Sequence, residues 1–153
     1  MRRFVLLLSA LALVVGLAAP ASAAEKELKI GFVYVSPVGD AGWSYAHDQA
    51  RKELAKMPGI TTYFAENIAE GPDSERVILN MARKGYDIIF TTSFGFMDPT
   101  LNVAKQFPKT VFMHCSGYKT APNMGNYFGR IYQARYLTGM VAGRMTKSNV
   151  IGY

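Results

Sequence analysis

Apolar positions fall in short runs, separated by Gly- and Pro-containing loops and by segments with helical spacing. Residues 30–35 are apolar on both faces of an extended chain and read as a strand buried between two layers. Pro37, Gly39 and Gly42 break that run and predict a loop carrying Asp40, Trp43, Ser44 and Tyr45. A helix is predicted over 44–57, stopped by Pro58-Gly59, and a second strand over 60–68, where Thr61, Thr62, Tyr63 and Phe64 favour extended backbone. The second helix opens over 71–75, sets Val77, Ile78, Met81 and Ala82 on one face, and ends at Gly85. A third strand follows over 86–92. Asp98 and Pro99 then suit the N-cap and first turn of a third helix. Residues 110–114 and 126–128 read as strands, 131–145 as a helix, and 150–153 as the start of another strand.

Strands alternating with helices at this spacing predict an α/β fold, a doubly wound, mostly parallel sheet with helices on both faces. In such a sheet the C-terminal strand ends share one edge, and ligands bind there. Four of these ends carry unusual residues, at 36–45, 65–67, 92–96 and 114–117. Together they would gather Trp43, Phe94 and Phe96 with Asp40, Asn67, Ser93 and His114. Aromatic walls with a few polar groups describe a pocket for a flat, hydrogen-bonding small molecule. Trp43 is the only tryptophan, and in a glycine-flanked loop its ring could stack on such a ligand. The competing reading has Trp43 plugging the helix against the sheet and Phe94 and Phe96 in the core.

Composition narrows the classes. Met1-Arg2-Arg3, the apolar stretch 4–19 and Ala21-Ser22-Ala23 form a secretory signal peptide over 1–23, to be read by the secretion machinery and cleaved after about Ala23. The arginine pair alone does not make a twin-arginine signal. No cysteine near the cleavage site offers a lipid attachment point. The net charge of +6 includes the two signal arginines, and the other basic residues are scattered over predicted helix faces. No basic stripe with interleaved aromatics suggests nucleic acid. Cys115, the single cysteine, cannot form an internal disulfide, and with His47 and His114 it makes no metal spacing. No metal or cofactor is expected.

Catalytic patterns are lacking. Ser93 is not in a G-x-S-x-G elbow, and neither G-x-G-x-x-G nor a P-loop occurs. His114 and Cys115 are adjacent on a predicted strand and so point to opposite faces.

Three segments, KIGFVYVSPVGDAGWSYAHDQ, YDIIFTTSFGFMD and NYFGRIYQARYLTGMVAG, resemble in that order the basic membrane protein family. These are substrate-binding proteins of ABC transporters, related to bacterial purine nucleoside receptor lipoproteins. The resemblance implies the N-terminal lobe of a type I periplasmic binding protein, spanning 24–147, with 148–153 starting the crossover to a second lobe. It also implies a purine nucleobase or nucleoside as ligand, an inner-membrane ABC permease as partner, a periplasmic location and no catalysis. By the same resemblance Trp43, where the family often has phenylalanine, would stack on the base, and Phe94-Gly95-Phe96 would match the family's aromatic-glycine motif. The chain departs from the family in lacking a lipobox cysteine. An exported α/β enzyme acting on nucleosides and a sensor ectodomain of the same fold are the alternatives.

Overall fold

The computed structural model describes residues 27–39 and 41–152, so the predicted signal peptide and Asp40 lie outside the described residues. Five strands, β1 (Leu28–Val33), β2 (Ile60–Ala65), β3 (Ile88–Thr91), β4 (Val111–Cys115) and β5 (Met124–Tyr127), form one sheet in the order β2-β1-β3-β4-β5. Every named strand pair is parallel. The helices are α1 (Trp43–Leu54), α2 (Pro72–Arg83), α3 (Met97–Gln106) and α4 (Ile131–Met145).

Strand β1 sits inside the sheet, and this is why its sequence is apolar on both faces. Ile30, Phe32 and Tyr34 are buried on one side, packed with Leu54, Ile60, Ile88 and Phe90. Val33 packs on the other with Ile78, Met81 and Ala82 of α2, Val103 and Ala104 of α3, and Ile89, Phe112 and Met124 of the sheet. The α/β doubly wound expectation is therefore met. Helix α4 differs, because none of its residues is buried.

Several local expectations shift. Trp43 is the first residue of α1, not a loop residue. Gly42, at φ 101°, turns the chain into the helix immediately before it. The third helix starts at Met97, so Asp98 and Pro99 lie in its first turn, and Phe96 occupies the cap position after a single 3₁₀ turn over Phe94–Phe96. β2 stops at Ala65 because Asn67 adopts a left-handed φ of 56°.

Candidate functional site

The chain leaves β1 outward to β2, then returns to β3 on the other side of β1. That reversal splays the connections apart and opens a crevice at the carboxyl ends of β1 and β3. An open cavity of about 350 Å³ lies there, lined by Val35 after β1, Thr92, Ser93 and Phe94 after β3, Ser116 after β4, and Phe128, with Trp43, Ile131 and Arg135.

Trp43 is anchored at the cavity edge. Its Nε1–H donates to the Thr92 carbonyl at 2.5 Å, and the His47 ring meets it edge-on at 4.9 Å, one helical turn on. Trp43 remains 38% exposed. Its only N–H is satisfied, so what it offers a ligand is its face. Burial lowers the His47 pKa, favouring the neutral imidazole beside the indole. Phe128 lies 6.3 Å from Trp43 between ring centroids, and Phe94 is largely exposed, tilted against Tyr118.

Helix α1 reaches this position through polar contacts. Its buried residues are Ser44 and Asp48. Ser44 Oγ shares a 2.7 Å hydrogen bond with Ser36 Oγ, just past β1. Arg51 Nε donates to Asp48 at 2.6 Å, its Nη1 reaches Thr62 on β2, and its guanidinium sits 4.7 Å from the Phe64 ring centroid. Burial alone would raise the Asp48 pKa, but the hydrogen bonds and charges of Arg51 and Lys52 outweigh it and hold the carboxyl below its ordinary range.

Of the residues expected to meet at this edge, the structure brings Trp43, Ser93 and Phe94 to the cavity. Gly95 lies just behind them, where the Glu70 carboxylate packs so closely that a side chain at 95 would displace it. Phe96 is corrected: it is fully buried with Ile78 and Val103, because the 3₁₀ turn directs it inward while Phe94 faces out. His114 is corrected likewise. It is fully buried, with Nδ1 2.9 Å from Thr91 Oγ1. Thr100 donates its hydroxyl proton to the Phe96 carbonyl, so Thr91 must donate to Thr100 and His114 Nδ1–H to Thr91. That leaves Nε2 as a buried lone pair with no partner, and burial depresses the His114 pKa to about 4. Asn67 is exposed beyond β2, at the sheet's far edge, and does not line the cavity. Asp40 lies outside the described residues.

Glu70, Phe128 and Arg135 were not anticipated, while Thr92 and Ser116 fell within the expected strand ends 92–96 and 114–117 without being singled out. In the structure Ser116 stands out as a non-glycine residue at φ 72° on the cavity wall, where strained backbone often marks function. A larger groove of about 550 Å³ runs between α2 and α3, but its lining includes no aromatic, and Glu75 and Asn102 there are hydrogen-bonded to each other. No group of His, Cys, Asp or Glu among the described residues could hold a metal ion. Burial raises the Cys115 pKa, which keeps the thiol protonated.

The family model described as "ABC transporter substrate-binding protein PnrA-like" matches residues 27–153. A purine-binding protein of Brucella abortus is 54% identical over 135 residues, covering 87% of this chain and 39% of its own length. A putative ABC transporter glucose-binding protein of Haloferax volcanii is 48% identical over 123 residues, covering 80% of this chain and 31% of its own length. The chain thus spans less than two-fifths of either relative. A solved ABC transporter solute-binding protein from Conexibacter woesei superposes with a TM-score of 0.67 at 23% identity, over 76% of this chain and 40% of that one, a likeness of fold.

Proposed function

The chain belongs to the PnrA-like ABC transporter substrate-binding proteins, and from that premise we propose that it forms half of a cleft for a purine nucleobase or nucleoside. The observation carrying this reading is the anchored, half-open face of Trp43 beside Phe94 and Phe128, over a cavity at the strand-order reversal. A planar base stacked on such a ring gains roughly 1–3 kcal/mol. The purine-binding name of the Brucella relative supports the choice of base.

On this reading the protein delivers its ligand to an inner-membrane permease from the periplasm, after the signal peptide is removed. It binds without chemistry. A second lobe would close over the open cavity, and residues 24–147 would form the first. The glucose-binding name of the Haloferax relative favours a second reading, because sugars also pack on aromatic faces. Calorimetric titration of the native protein with adenine, adenosine and glucose separates the two. Binding of adenine or adenosine with quenching or shift of the single tryptophan's fluorescence is expected. Binding of glucose with no response to either purine would overturn the purine reading.

A further inference from the structure

The wall of the cavity between Trp43 and Phe94 has its hydrogen-bond donors turned inward. The Trp43 indole N–H goes to the Thr92 carbonyl, and the Thr92 hydroxyl donates to the Val33 carbonyl at 3.0 Å. The Ser93 hydroxyl is hydrogen-bonded to the Glu70 carboxylate, and the Gly95 N–H reaches the same carboxylate oxygen at 3.1 Å. A carboxylate has no proton to give, so Ser93 must be the donor. Ser93 lines the cavity, and its hydroxyl has only lone pairs left to offer.

Glu70 reaches Ser93 because it stands at the end of the loop after β2, just before Gly71, the N-cap of α2. Gly95 carries no side chain to keep it out, since a Cβ there would fall within 2.5 Å of all three carboxylate atoms. One carboxylate therefore both holds the 3₁₀ turn that aims Phe94 outward and sets the polarity of its neighbour. We propose that Glu70 is a positioning residue that makes Ser93 a hydrogen-bond acceptor toward the cleft, so that this wall selects a ligand edge bearing an N–H group. The inference rests on the purine reading and sharpens it: the edge of the base turned to Ser93 carries a ring N–H or an exocyclic amine.

The test uses the native protein and its Ser93→Ala, Glu70→Ala and Glu70→Gln variants, with calorimetry against adenine, 9-methyladenine and N6,N6-dimethyladenine. In the unmodified protein, the analogue whose blocked nitrogen faces Ser93 should bind about five- to tenfold more weakly than adenine, the scale of one hydrogen bond. Ser93→Ala should bring that ratio to within about twofold. Glu70→Ala should also shrink it, because the freed hydroxyl can turn its proton to the ligand. Glu70→Gln should preserve it, because the amide oxygen still accepts from Ser93. A methyl group that merely clashes with Ser93 would keep its full ratio in Glu70→Ala, and a merely structural Glu70 would weaken every ligand by the same factor. Either result overturns the proposal. If the unmodified protein binds neither these three bases nor adenosine, the purine reading fails and takes this inference with it, a result distinct from binding with an unchanged ratio.

Discussion

The two faces of the sheet are built differently. The face under α2 and α3 is mainly an apolar core, with Val33, Ile89 and Phe112 of the sheet meeting Ile78, Met81, Phe96 and Val103, and the Thr91–Thr100–His114 set buried beside them. The face under α1 is aromatic and laced with polar contacts. Phe90 stacks on Phe32 at 4.9 Å with planes 7° apart, and the residues α1 buries are a serine and an aspartate. Apolar packing is non-directional and supplies bulk stability. Hydrogen bonds and ion pairs fix orientation, and α1 is the helix that begins with Trp43. One face holds the lobe together, and the other aims the cleft.

Substitutions should separate these roles. The largest loss of stability is expected from Phe96→Ala on the apolar face, about 3–5 kcal/mol from lost burial and the cavity left behind, read as a lower denaturant midpoint. A loss under 1 kcal/mol would mean Phe96 is not in the core. On the other face, Asp48→Asn should cost about 3 kcal/mol, because the nearly buried Arg51 loses its counter-charge. It should also weaken ligand binding by loosening the start of α1, whereas Phe96→Ala should leave the affinity of the folded fraction nearly unchanged. Equal behaviour of the two variants in both measurements would erase the distinction.

A smaller effect comes from pH. His114 has a folded-state pKa of about 4, below its unfolded value near 6.5. The unfolded chain then binds the extra proton first, so stability is fully present above about pH 6.5 and is lost as pH falls toward 4. The loss by pH 5 is about 2 kcal/mol. His114→Asn, which can keep the bond to Thr91, should flatten that part of the pH–stability curve. An unchanged curve would assign the acid sensitivity elsewhere.

The architecture was legible because it is written in runs of residues. A strand buried on both faces must be apolar at successive positions, as in 30–35, and Gly and Pro mark the loops between elements. Trp43, Ser93 and Phe94 were legible for a related reason, as distinctive residues at strand ends. Phe96 was misread because Phe94 and Phe96 are indistinguishable as residue types, and only the 3₁₀ turn sends one out and the other in. His114 was misread because a histidine at a strand end looks like a ligand contact, while its partner Thr91 comes from β3 and is itself bonded to Thr100 of α3. Glu70 gave no signal, since one more acidic loop residue is ordinary until Gly95 is seen to make room for it.

The account turns on the role of Trp43, and the direct measurement is paired calorimetry and thermal unfolding of Trp43→Ala in the native protein. Purine affinity should fall about five- to 150-fold, matching roughly 1–3 kcal/mol of stacking. The ligand-free stability should drop by only about 1 kcal/mol, from the hydrogen bond to Thr92. Trp43→Phe should keep most of the affinity, because a flat ring remains over the cavity. A large fall in the unfolding temperature with purine affinity unchanged in the folded protein would make Trp43 a plug between helix and sheet, and would contradict the account.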